Sequence, residues 1–274
     1  MSKPGRPTSE PFIVTKEYRR FAEFCDACRR YRYIGLCYGA PGVGKTLSAR
    51  HYASWDTLEP VLQGQRTLME PPSVALASMC HSLLYTPTMT TTPKQLAEDL
   101  QGLRWDLTLA ADRAKDPEDE LHRPLAVLPD PTELILVDEA DRLKMPALEQ
   151  LRDIYDRHGI SVILIGMPGL EKRLARYAQL YSRVGFVHHY RTLSAEELRF
   201  LLAHKWEQLG LRFAPDEFTD TEAMAAVIRI TGGNFRLLQR LFTQIERILD
   251  INQLQTITKE VVEAAREQLV IGPL

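Results

Sequence analysis

The chain has 274 residues, 45% of them apolar, which suffices for one large domain or two modest ones and excludes global disorder. Its 34 basic and 36 acidic side chains leave a net charge of −2, which excludes a uniformly basic nucleic-acid coat but permits a local basic stripe. Met1 to Glu10 is polar with no apolar run, so no signal peptide is expected. No stretch approaches the roughly 18 to 20 apolar residues that cross a bilayer, and the expectation is a soluble, cytoplasmic protein.

In chain order, Tyr18 to Tyr31 has amphipathic helical spacing, with Phe21, Phe24 and Cys28 on one face. Cys25 and Cys28 form a CxxC there, but no second pair follows at zinc-site spacing. With Cys37 and Cys80 they read as small buried thiols of a reducing compartment. Tyr33 to Tyr38 reads as a buried strand and Thr46 to Trp55 as a helix, with a Gly-rich loop between them. Thr86 to Pro93 is a Thr-rich loop. Thr92 caps a helix that opens at Pro93 and runs to about Leu109. Lys115 to Glu120 is a charged loop, Leu134 to Val137 a buried strand, Pro146 to His158 a helix and Ile160 to Ile165 a third strand. Gly185 to Tyr190 reads as a last strand.

From Leu193 the pattern is all helical. Ser194, with Glu197 at the capping-box position, caps Ala195 to Leu209. Helices follow over Thr221 to Thr231, from Asn234 to about Leu249, and from Thr258 through Leu269. Strands alternating with helices, then helices alone, predict a parallel α/β domain followed by a small helical lid. The expected divisions are a flexible segment over 1–17, the α/β nucleotide-binding domain over 18–191 and the lid over 192–274.

Gly39-Ala40-Pro41-Gly42-Val43-Gly44-Lys45-Thr46 fits the P-loop pattern G-x-x-x-x-G-K-[ST] at every position. The glycines let backbone N–H groups turn inward onto phosphate oxygens, and the following helix offers its positive end to the same anion. Lys45 is placed for the β- and γ-phosphates and Thr46 for Mg²⁺, so the predicted ligands are ATP and Mg²⁺. Leu134-Ile-Leu-Val-Asp138-Glu139 buries a strand and aims Asp138 at the metal, with Glu139 placed to activate the attacking water.

Together these residues resemble the AAA+ ATPases, a P-loop NTPase class. That resemblance implies an arginine finger just before the last strand, where Arg183 stands, with Arg173 and Arg176 as competitors. It also implies a second sensor at Gly232-Gly-Asn-Phe-Arg236, with Arg236 reaching the phosphates. Adenine would pack near Phe12, Ile13 and Tyr18, which serve equally as ordinary core. The sequence departs from the pattern at the strand tip beside the Asp-Glu strand. A polar side chain is usual there, and this chain has Gly166-Met167. Neither can orient a water by its side chain, which bears on hydrolysis and not on binding.

Val137-Asp-Glu-Ala-Asp-Arg-Leu143, Leu148-Glu-Gln-Leu-Arg-Asp-Ile154 and Ile163-Leu-Ile-Gly-Met-Pro-Gly-Leu170 resemble more closely the transposition ATPases, the family of the Mu phage B protein and the TnsC-type regulators. The resemblance implies ATP-dependent homo-oligomerisation, as ring or filament, on double-stranded DNA without sequence preference, and recruitment of a transposase. Only about 17 residues precede the first helix, so the nucleotide-binding domain itself is expected to touch DNA. The basic candidates are Lys94, Arg104, Arg113, Lys115 and Arg123. A different AAA+ class assisting secretion or assembly, and a non-hydrolysing ATP switch, remain open as alternatives.

Overall fold

The computed structural model describes residues 12–63, 71–115, 128–209, 211, 214 and 217–269. The chain divides into two compact units, one of Arg20–Arg191 and one of Met1–Arg19 with Thr192–Leu274.

The first unit is built on five parallel strands, β1 (Ile34–Tyr38), β2 (Ser82–Tyr85), β3 (Leu134–Val137), β4 (Ser161–Gly166) and β5 (Val184–His189). They lie in the order β2-β3-β4-β1-β5. Every residue of β2, β3 and β4 is buried, as expected of parallel strands covered on both faces. One face is covered by α1 (Lys16–Tyr31), α2 (Lys45–Tyr52), α3 (Trp55–Leu62) and α4 (Pro71–Met79). Phe21, Phe24, Cys28, Ala49, Leu58 and Ala77 pack there. The other face is covered by α6 (Met145–His158), α7 (Leu170–Leu174) and α8 (Ala178–Tyr181), through Leu148, Leu151, Leu170 and Leu180. The long helix α5 (Pro93–Lys115) serves both faces: Leu96 and Leu100 join the second core and Leu107 the first.

The structure adds three things to the sequence reading. The helix expected over Thr46 to Trp55 is two helices, because Ser54 takes a left-handed conformation (φ 49°) between α2 and α3. Strand β2 escaped notice because four residues of Ser-Leu-Leu-Tyr carry too short a pattern. Helix α5 continues beyond Leu109 to Lys115, and Thr92 Oγ1 accepts from Gln95 N at 3.2 Å as its cap. Cys25, Cys28, Cys37 and Cys80 are all buried. Burial raises the Cys25 thiol well above its ordinary pKa and that of Cys28 to about 12, so both stay protonated.

The second unit packs α9 (Ala195–Gln208), α10 (Phe218–Thr231), α11 (Phe235–Asn252) and α12 (Lys259–Glu267) around Leu201, Trp206, Val227, Leu241, Ile245 and Val262. Three of its helices begin as their sequences predict. The capping box joins Ser194 and Glu197, Asn234 accepts from Leu237 N, and Thr258 accepts from Val261 N. Ile13 packs on this core, Glu17 N donates to Glu197 Oε1, and the rings of Phe12 and Tyr18 meet edge-on at 4.7 Å.

Candidate nucleotide site

Parallel strands bring their carboxyl ends to one edge of a sheet, and ligands bind in the crevice there. Three such ends converge in this protein. Strand β1 ends at Tyr38 and turns through Gly39–Gly44 into α2. Strand β3 ends at Val137 and delivers Asp138, and β4 ends at Gly166. Tyr38 pairs with Gly166 in register, and Gly39 N donates to Gly166 O at 3.3 Å.

The loop's glycines are demanded by its geometry. Gly44, at φ 111°, lies where a side chain would be strained. A Cβ on Gly39 would lie 2.3 Å from the carbonyl oxygen of Tyr190, so only glycine admits the loop so close to the residue after β5. Tyr190 also supports the loop from below: its hydroxyl and Ser48 Oγ, in the first turn of α2, lie 2.6 Å apart in a buried hydrogen bond.

Lys45 is buried, and its Nζ donates to Gly39 O (2.6 Å) and Ala40 O (2.8 Å). The ammonium thus sits inside the loop's own curl, at the place where phosphate oxygens would replace those carbonyls. Thr46 Oγ1 donates to Asp138 Oδ2 at 2.6 Å, joining residues 92 positions apart. Asp138 is buried, and that burial raises its pKa above the ordinary carboxyl value. The Thr46 hydroxyl, the Glu139 N–H and the Lys45 charge oppose the shift. A buried carboxylate and a hydroxyl in contact are hard oxygen donors of the kind Mg²⁺ takes, so the residue set fits that ion.

Glu139 follows in a left-handed conformation (φ 52°) and opens a short 3-10 turn, Ala140–Arg142. Its carboxylate is ion-paired with Arg142, whose Nη1 also donates to Pro87 O, in the Thr-rich loop after β2, at 3.0 Å. Arg173 of α7 fastens the same turn, donating to Asp141 O (2.9 Å) and Ala140 O (3.1 Å). Arg173 is therefore committed to its own chain beside the site. Arg176 is an exposed residue just past α7.

Arg183 grips the Asp156 carboxylate through Nε (2.7 Å) and Nη2 (2.8 Å), and donates to Gln179 O. That pair holds Asp156 below the usual carboxylate range. Arg236 is exposed in the first turn of α11, in the helical unit. Lys94 is exposed and 3.7 Å from Glu98, whereas Arg104 is bound to Asp130 at 2.7 Å with its side chain only 18% exposed. Arg113 is exposed on α5. Lys115 ends α5, with its side chain outside the described residues, and Arg123 lies outside them altogether.

Sequence reasoning missed Ser48 and Tyr190, which carry no motif. Asp141 and Arg142 were read only as part of a family signature. Their chemistry depends on a turn that folds back on the strand ends.

The model of the AAA domain family matches residues 28–174. A Staphylococcus aureus protein described as a potential ATP-binding protein is 47% identical over 277 residues, covering 96% of this chain and 98% of that protein. The Mu-like prophage FluMu DNA transposition protein B of Haemophilus influenzae is 26% identical over 242 residues, covering 84% of this chain and 71% of its own. Among solved structures, the Thermotoga maritima RuvB Holliday junction branch migration motor aligns with TM-score 0.58 at 17% identity over 93% of this chain and 69% of its own. The Aeropyrum pernix ORC2 protein aligns with TM-score 0.52 at 13% identity over 92% and 67%. These structural likenesses concern the fold.

Proposed function

This chain belongs to the AAA domain family, and from that premise we propose that it is an ATPase that assembles on double-stranded DNA under ATP control and engages a transposase there. The observation that carries the nucleotide part is the convergence of Lys45, Thr46 and Asp138 at adjoining strand ends, with the lysine already turned into the phosphate loop. The 47% identical potential ATP-binding protein supports the same reading. The transposition part is supported by the likeness to a DNA transposition protein across 84% of the chain and by the Asp-Glu-Ala-Asp-Arg-Leu segment at the site.

In this reading the N–H groups of Gly42, Val43 and Gly44 and the start of α2 hold the β- and γ-phosphates, and Lys45 exchanges its two carbonyl partners for phosphate oxygens. Thr46 and Asp138 hold Mg²⁺, which when bound offsets charge on the phosphates. Glu139 accepts a proton from the attacking water once it leaves Arg142. Arg183 serves a neighbouring subunit after giving up Asp156, and Arg236 on the helical lid completes the phosphate contacts. Lys94 and Arg113, both exposed, are the candidates for DNA phosphates, and Arg104 joins them only by leaving Asp130.

The test is duplex-DNA binding by the unaltered protein and by Lys45→Ala, with and without ATP, across a salt series. Binding is expected only with ATP and only in the unaltered protein, with affinity falling steeply and linearly on a log–log salt plot. Tight binding without nucleotide, or a flat salt response, contradicts the DNA reading. Undiminished ATP affinity in Lys45→Ala contradicts the nucleotide site. Single-turnover hydrolysis by Glu139→Gln separates an ATPase from a non-hydrolysing switch: in an ATPase the variant retains ATP and the unaltered protein consumes it.

A further inference from the structure

The tip of β4 presents a problem that the structure itself resolves. Gly166 and Met167 bring no polar side chain to the strand end beside Asp138 and Glu139, yet a water attacking a phosphate must be held in line. The space over Gly166 is nevertheless filled by a polar group. A Cβ built on Gly166 would lie 2.4 Å from Asp141 Oδ2, so the glycine leaves room for that carboxylate. The same Oδ2 accepts from Met167 N at 2.7 Å.

The register explains how a residue from the β3 side reaches β4. Val137, the last residue of β3, pairs with Leu164, and β4 runs on to Gly166. The chain beyond Val137 turns at Glu139 into the 3-10 turn, which carries Asp141 back over the protruding end of β4. Arg173 fastens that turn through the Ala140 and Asp141 carbonyls. On its other side, Gly166 O accepts from Gly39 N of the phosphate loop. One carboxylate therefore ties together the turn that bears Glu139, the tip of β4 and, through Gly166, the first glycine of the loop.

We propose that Asp141 is a positioning residue for ATP hydrolysis, supplying from the Glu139-bearing turn the polar anchor that the tip of β4 lacks. The inference rests on the hydrolytic reading above. Asp141 acts by accepting the Met167 N–H and so fixing Glu139 against the phosphate loop. An amide oxygen can accept the same bond, so the role needs an acceptor and not a charge.

The experiment measures kcat and ATP affinity of the full-length protein with DNA for D141A, D141N, G166A and the D141A/G166A double variant. D141A is expected to lose about ten- to a hundredfold in kcat, the scale of a small misplacement of a catalytic group, with ATP affinity unchanged within about twofold. D141N is expected to retain most of the turnover. G166A displaces the carboxylate and should resemble D141A, and the double variant should fall no further than the worse single one. Turnover of D141A equal to the unaltered protein overturns the inference. So does D141N as impaired as D141A, or a D141A variant that loses ATP binding along with turnover. Failure of the hydrolytic reading shows separately, as absent turnover in the unaltered protein with DNA, and takes this inference with it.

Discussion

Asp138 carries a cost that a metal would offset. Its pKa is raised in the folded protein by burial. Such a group favours folding most in acid, where it is neutral in both states. That contribution is lost as pH rises from the ordinary value of 3.8 through the raised one. At pH 7 the ionised carboxylate therefore opposes folding. Asp138→Asn keeps an oxygen for the Thr46 hydroxyl and removes the charge. It should stabilise the nucleotide-free protein at pH 7 by on the order of 1 kcal/mol, with the gain shrinking toward pH 3, while turnover is lost. Thermal melts over pH check the sign, and a variant less stable at pH 7 refutes it. The Glu139–Arg142 pair is a smaller matter. Both side chains are partly exposed, so the pair is worth at most about 1 kcal/mol. Arg142→Ala should therefore raise DNA-free hydrolysis by no more than about fivefold. A fall instead would mean that Arg142 supports catalysis.

The phosphate loop, α2 and the end of β5 act as one unit. Gly39 lies against the Tyr190 carbonyl, Tyr190 N donates to Tyr38 O at 2.8 Å, and the Tyr190 hydroxyl is bonded to Ser48. Tyr190→Phe keeps the ring among Phe21 and His188 and removes only that bond. A buried hydrogen bond of this kind contributes about 1 kcal/mol. The variant should melt lower by that amount and, if α2's first turn holds the phosphates as proposed, bind ATP more weakly. Ser48→Ala should do the same, and the double variant should add little, since both remove one interaction. Additive losses in stability and affinity would show that the two side chains act independently.

At the scale of the whole molecule, Arg183 is held by Asp156 on the surface of the α/β unit, so its expected role requires a second subunit. Arginine suits it, since a guanidinium stays charged and forks onto two oxygens. Arg183→Ala should bind ATP as a monomer but assemble and hydrolyse poorly. Mixed with Lys45→Ala it should regain some hydrolysis, because one interface then joins an intact loop to an intact finger. Normal hydrolysis by Arg183→Ala alone, with DNA, would place the finger elsewhere, with Arg176 the next to test, because Arg173 already braces the turn behind Glu139.

The candidate phosphate site was legible in the sequence because its requirements are local. The pattern from Gly39 to Thr46 specifies a loop that curls, and four apolar residues before Asp138 specify a buried strand that ends in a carboxylate. The helix caps at Ser194, Asn234 and Thr258 were legible for the same reason, each being a bond across three residues. What joins distant segments was not legible. Strand β2 gains its identity from lying beside β3, and the contact of Tyr190 with Ser48 spans 142 positions. Asp141 stands over Gly166 only because β4 outruns β3 and a left-handed Glu139 turns the chain back. Register and strand order are properties of the assembled sheet. The sequence by itself determined the loop and strand end proposed to hold a phosphate, and the tertiary structure decided which side chains brace them.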